Sequence, residues 1–329
     1  NESQSRGTVR DLVKRLSGIY RNRCPVNLKS AFRLTEQGKA PSGKRWMTLL
    51  QEVMAVPPTH ADIADWWLLF GALNASFEFQ TSQSAPPKTE MRLSGEFTTE
   101  LKHAGRHWAG LLAPLLKRRG ASFAFHQIDL ERLGGEQATG GDFALILDFD
   151  GRTFQPETCR SEPRIVPIIF QGKRYVRPLA NVSQTHKVRG SQKKKLGQND
   201  CASAYIFYEN GDVAIAAPLP VLVKPIENVG DERQTNVFQG TIDFASYLYR
   251  ASTDDTFAAR ATSIEEALSM IYSKAHPGQL SKLIVATGDS KADFKYEAAV
   301  KHFFASYGPD IDEPATDDNE DKPGEPSGP

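Results

Sequence analysis

The sequence predicts a mixed α/β fold in which a central mixed sheet is flanked by helices. Three observations predict it. Asp142–Phe149 and Ile165–Tyr175 are short apolar runs beside turn-forming residues, the pattern of buried strands. Segments with apolar residues at helical spacing lie before, between and after them. With 40% hydrophobic and 24% charged residues, the 329-residue chain can fill one large core or two modest ones.

Taken in order, residues 8–22 repeat Val9, Leu12, Val13, Leu16, Ile19 and Tyr20 at helical spacing, and 46–55 and 59–73 predict two more helices. The third carries Ile63, Trp66, Trp67, Leu69 and Phe70, and its tryptophans are expected in helix packing rather than on a platform for bases. Residues 81–87 have loop composition and mark the best boundary. A long helix is expected over Glu96–Arg119, kinked at Pro114 and stopped by Gly120. Ser122–Ile128 alternates as a strand, and a glycine-rich turn leads to the strand at Asp142. Its far end, Asp148-Phe149-Asp150-Gly151, reads as a simple turn. The strand Ile165–Tyr175 is followed by a basic, helical segment, Gln184–Leu196, and by a strand at Ala204–Tyr208. A strand pair continues through Val213–Ala216 and Val221–Val223. Helices at Phe244–Tyr249, Ile264–Ala275 and Ala292–Ser306, with a strand at Leu283–Ala286, complete the chain.

Charge is unevenly spread. Residues 308–329 hold eight acids against Lys322, a net −7, so the remainder of the neutral chain carries +7. That acidic, Pro- and Gly-rich stretch is expected to be disordered. Ten Lys or Arg residues fall between Arg160 and Asp200, a local field that attracts phosphate. Arg174, Arg177, Lys187, Arg189, Lys193, Lys194 and Lys195 are its candidate nucleic-acid contacts. No run approaches the ~20 apolar residues of a membrane span, and the first residues have no apolar signal core. The widely spaced Cys24, Cys159 and Cys201 suit reduced thiols, and a cytoplasmic location is expected.

One constellation carries chemistry. Alternation puts Phe143, Leu145 and Leu147 on the buried face of their strand and Asp142 on the other. Ile169, Gln171 and Lys173 share a face of the next strand, which is apolar on both sides and therefore central. A carboxamide and an ammonium at the end of a buried strand are costly unless paired, solvated or used. If the strands are neighbours, Asp142, the Gln171 oxygen and the Gly172 carbonyl offer hard oxygen ligands to Mg²⁺ or Mn²⁺, and Glu136 offers a second carboxylate. Lys173 then orients or deprotonates a water, or stabilises charge growing on a phosphate.

The segments Glu136-Gln-Ala-Thr-Gly-Gly-Asp142-Phe and Phe170-Gln-Gly-Lys-Arg174 resemble the PD-(D/E)xK nuclease superfamily. In particular they are similar to Mrr-like restriction endonucleases, in which Gln replaces the middle acid. The resemblance covers roughly residues 94–216, with the layout helix, strand, Glu-x5-Asp strand, Gln-x-Lys strand, helix, strand. It implies a restriction-endonuclease-like core and metal-dependent cleavage of DNA, in restriction or phage defence. A helix-borne acid is implied too, Glu96 or Glu100. The chain departs from the pattern in having Gly141 where Pro stands, a neutral Gln171 and a long loop between Asp142 and Gln171.

This divides the chain into an N-terminal, mostly helical region (1–90), the nuclease-like core (91–225), a helix and strand extension packing on it (226–307) and the acidic tail (308–329). Expected partners are DNA, other proteins of a defence system and a second copy of the chain, with no membrane. The competing expectation is a nuclease-fold module that binds nucleic acid or protein without cutting. No Gly-x-Ser-x-Gly and no phosphate-binding Gly-x4-Gly-Lys-Ser/Thr loop supports another α/β enzyme. His103 and His107 lack a third ligand and are expected at the surface, and His126 is expected to be structural.

Overall fold

The alternation just described becomes one seven-stranded sheet in a computed structural model. It describes residues 63–84, 88–117, 122–130, 143–149, 164–175, 179–182, 185–186, 190–210, 221–272 and 280–306. The helices expected at 8–22 and 46–55, the strand at Val213–Ala216 and the acidic tail lie outside these residues.

Helix α1 (Ile63–Glu78) is apolar on every side, and Trp66 and Trp67 are buried. Such a helix must be covered all round. It packs on α2 (Glu90–Lys117) and on α4 (Phe244–Thr253), while Trp67 Nε1 donates 2.8 Å to the Gly105 carbonyl of α2. Gly105 is dictated by this approach, because a Cβ there would overlap the Phe125 ring. Helix α2 begins six residues before the expected Glu96 and runs on through Pro114. Thr89 caps it, its Oγ1 accepting from the Arg92 N–H at 3.3 Å.

The strands are β1 (Ala124–Asp129), β2 (Phe143–Asp148), β3 (Ile165–Tyr175), β7 (Ala202–Glu209), β8 (Leu222–Pro225), β10 (Ile242–Asp243) and β11 (Lys282–Thr287). They lie in the order β1–β11–β2–β3–β7–β8–β10. The sheet is mixed: β11 runs parallel to β2 and β3 parallel to β7, and the other neighbours are antiparallel. Phe143 opposes Phe170 and Lys173 opposes Phe207. β3 is central, as its two apolar faces require.

One face of the sheet meets α1, α2 and α4. Phe125 packs at a tilt on Trp67 at 4.6 Å, Phe170 lies 5.5 Å from Phe244, and Tyr208 lies 5.8 Å from Phe97. The other face meets α5 (Ile264–Tyr272) and α6 (Ala292–Ser306), which join through Tyr272 and Phe303 at 5.3 Å. Both faces of β2 are therefore buried, not one as its alternation suggested. The terminal helices match expectation closely: α6 spans the expected residues, and the Asp243 side chain caps α4 by accepting the Ser246 N–H at 2.9 Å.

The basic segment 184–196 is not one helix. Thr185–His186 (β5) and Gly190–Ser191 (β6) pair as a short antiparallel ribbon, and only Gln192–Leu196 (α3) is helical. Thr and Gly are poor helix formers, which favours the ribbon there. A second ribbon joins β4 (Leu179–Asn181) to β9 (Gln234–Asn236). Among the described residues no helix is long and apolar enough to cross a membrane.

Candidate functional site

Gln171 and Lys173 lie on the same face of β3, with Gly172 between them, and both are 1% exposed. A buried ammonium requires a partner. Lys173 Nζ lies 3.5 Å from Oε2 of Glu90, the first residue of α2, and Glu90 keeps about a quarter of its side chain in solvent. The other Glu90 oxygen, Oε1, accepts the Arg174 N–H at 3.4 Å. One carboxylate thus grips the end of β3 by a side chain and by the backbone.

The expected helix acids point elsewhere. Glu96 is held by Lys88 Nζ at 2.5 Å and Arg92 Nε at 3.0 Å. Burial alone would raise its carboxyl, but the hydrogen bonds from Lys88 and Arg92 keep it below the usual range. Glu100 Oε2 accepts from Gln83 Nε2 at 2.8 Å, and burial pushes its carboxyl up. The helix carboxylate at Lys173 is Glu90. Its signal in the sequence was Thr89-Glu90, a capping residue and an acid in the first turn of a helix.

Ser84 and Lys88 are themselves tied down. Lys88 Nζ donates to the Gln83 carbonyl at 2.5 Å, and its backbone N–H donates to Asn210 Oδ1 at 2.8 Å. Asn210, just past β7, donates its own N–H to the Tyr175 carbonyl at 2.9 Å and its side-chain amide to the Ser84 carbonyl. Sequence reasoning found neither Lys88 nor Asn210, which bond each other across a separation of 122 residues.

Gln171, Tyr205 and Lys224 are in register across β3, β7 and β8, on one face. Lys224 is a second buried lysine, donating to Thr235 Oγ1 at 2.6 Å and the Asn236 carbonyl at 3.2 Å. Burial among neutral groups pushes its ammonium below the usual lysine range. It ties the β4/β9 ribbon to the sheet.

Asp142 and Glu136 lie outside the described residues, as do Arg177, Lys187 and Arg189. Arg174 and Lys194 are exposed. Lys193 is occupied at 2.7 Å by both Asp231 and the Gly230 carbonyl. Among the described residues no three His, Cys, Asp or Glu side chains are grouped to hold a metal. His103 and His107 are exposed on α2, and His126 Nδ1 pairs with Asp293 at 2.5 Å.

A cavity of about 200 Å³ lies at the far end of the sheet, where β2 and β11 end. There Tyr296 donates to Asp148 Oδ2 at 2.9 Å, and Lys295 pairs with Asp289 at 2.5 Å. Beside it, Ser263 Oγ caps α5 by accepting the Glu266 N–H at 3.1 Å, and Asp289 Oδ1 accepts the Lys291 N–H at 2.9 Å just before α6.

No family model matches this chain, and neither the curated proteins nor the solved structures contain a match.

Proposed function

We propose that the chain is a metal-dependent DNA endonuclease with a restriction-endonuclease-like core, acting in restriction or phage defence. The observation that carries this reading is the meeting of Glu90 and Lys173 at the end of a central strand, with the buried Gln171 two residues away on that strand. The element order supports it in part: α2 is followed by β1, β2 and β3, and α3 and β7 come after the short strands β4, β5 and β6. β2 and β3 are neighbours, and β3 is parallel to β7. Two features depart from the simple pattern. β11 lies between β1 and β2, and α3 has only five residues.

Asp142 immediately precedes Phe143, whose partner Phe170 immediately precedes Gln171. Asp142, Glu90 and the Gln171 carboxamide oxygen are the hard oxygen donors that suit Mg²⁺ or Mn²⁺, with Glu136 and the Gly172 carbonyl in reserve. The ion, when bound, supplies Lewis-acid stabilisation of the phosphodiester. Lys173 contributes a fixed positive charge for a phosphate oxygen, or passes a proton to or from the attacking water. Glu90 orients that ammonium. Arg174, exposed beside it, meets the DNA backbone.

A second reading is a nuclease-fold module that binds nucleic acid without cutting. It is favoured by the neutral Gln171 and by a Lys173 that is 1% exposed and engaged by Glu90. Supercoiled plasmid with Mg²⁺ or Mn²⁺ separates the two. The endonuclease nicks it, and Asp142→Ala, Lys173→Ala and Glu90→Ala each remove most of the rate. If the wild-type chain binds plasmid without nicking it, or if the variants cut at the wild-type rate, the endonuclease reading is wrong.

A further inference from the structure

We infer that Asn210 is a positioning residue, a clamp that sets Glu90 against Lys173. The inference deepens the nuclease reading and rests on it only for the consequence in catalysis. The contacts close a ring. From Lys173 the chain runs through Arg174 to Tyr175, whose carbonyl accepts the Asn210 N–H at 2.9 Å. The Asn210 carboxamide accepts the Lys88 N–H at 2.8 Å and donates to the Ser84 carbonyl. From Lys88 the chain runs through Thr89 to Glu90, whose carboxylate returns to Lys173 at 3.5 Å and to the Arg174 N–H at 3.4 Å. Arg174 Nη1 braces the ring by donating to the Lys88 carbonyl at 3.5 Å.

The chemistry of the side chain fits this task. Glu90 opens a helix, where end residues fray unless they are held. Thr89 caps the first turn but fixes nothing relative to the sheet. Asn210 is anchored to the sheet by its backbone and 2% exposed, and its one carboxamide supplies both an acceptor and a donor. Aspartate keeps the acceptor for Lys88 N–H but sets a charge against the Ser84 carbonyl, and alanine keeps neither. Lys88 adds a second brace through Gln83 and Glu96, so the Asn210 contact orients a segment that is already partly ordered.

The test uses the full chain as wild type, Asn210→Ala, Asn210→Asp and Ser94→Ala. Ser94 bonds the buried Tyr208 hydroxyl at 3.2 Å and lies outside the ring, so its variant controls for general loss of stability. One arm measures acetylation of Lys173 by a water-soluble ester, read by peptide mass spectrometry under native conditions. Asn210→Ala raises that rate about tenfold over Ser94→Ala, because freeing Glu90 lets the strand end open locally. Asn210→Asp falls between and serves where the alanine variant does not fold. The second arm measures plasmid nicking per folded molecule. A carboxylate displaced by about 1 Å lowers kcat about 100-fold while KM stays within about threefold. Equal Lys173 acetylation in Asn210→Ala and Ser94→Ala overturns the clamp, and so does an unchanged kcat in an active enzyme. If wild type does not nick, the nuclease reading fails, and the acetylation arm alone decides the clamp.

Discussion

Replacing Glu90 by Gln tests the pair at the centre of the site. The substitution keeps the shape and removes the charge facing Lys173 Nζ at 3.5 Å. At that distance two unit charges interact by about 5 kcal/mol with an effective dielectric of about 20, and by about 1 kcal/mol in bulk water. Lys173 is 1% exposed and Glu90 about a quarter exposed, so the pair sits between these limits. Glu90 is also not the sole group with which Lys173 interacts. The expected loss is about 2–4 kcal/mol, near the lower part of the range for breaking a buried pair. At about 2–4 °C per kcal/mol for a domain of this size, the melting temperature falls by about 5–15 °C. Lys173→Met should cost about 1 kcal/mol or less, because the carboxylate it leaves is reached by water whereas the ammonium is not. The double variant should then be no less stable than Lys173→Met. Urea unfolding at pH 7 of the four proteins in a double-mutant cycle reads the coupling. Additive losses, or a Glu90→Gln midpoint equal to wild type, would refute the reasoning.

Three other outcomes follow from the packing and the carboxylates. Gly105→Ala forces a methyl group into the Phe125 ring between α1, α2 and β1, and urea unfolding should show a loss of about 1–3 kcal/mol. Glu100 and Glu96 should act on stability in opposite senses. The Glu100 carboxyl is raised by burial, so its contribution is full below its unfolded pKa of about 4.5 and is lost as pH rises through its folded value. Glu96, held down by Lys88 and Arg92 against its burial, contributes above about 4.5 and loses that as pH falls through its folded value. Melting curves from pH 3.5 to 6.5 should therefore become flatter on the high side in Glu100→Gln and on the low side in Glu96→Gln; shifts of the same sign in both would contradict the assignment. Cys201 is buried with its thiol pushed up to about 12, so iodoacetamide at pH 8 should leave it unlabelled in the native protein and label it in denaturant.

The parts of this fold legible in the sequence are those decided by local periodicity. β3 could be read to the residue, because an eleven-residue run apolar on both faces has few other solutions. The same alternation placed Gln171 and Lys173 on one face before any partner was known. β11 shows what periodicity omits. Its residues announced a strand, but nothing local says that Leu283 pairs beside Ala144 and so separates β1 from β2. The partner is chosen by which apolar surfaces close over one another, a property of the assembled layers. The face of β2 that alternation had left open is covered by the layer of α5 and α6, not by a strand.

The helix acid failed to show for a related reason. By position on a helix expected to start at Glu96, the resemblance implies Glu96 or Glu100 as the helix acid. The real start is set by the Thr89 cap, and Glu96 turns toward Lys88 and Arg92. What brings Glu90 to Lys173 is neither the cap nor the helical period but the joining of Ser84 and Lys88 to Asn210 at the end of β7. A short motif can therefore carry the residues on its own strand, whereas the carboxylate that meets Lys173 arrives on a separate element through contacts that no spacing rule encodes. On this view a search for such sites should begin at the polar pair within an apolar strand. It should then ask which helix start the strand ends hold in place, rather than which helix glutamate has the expected spacing.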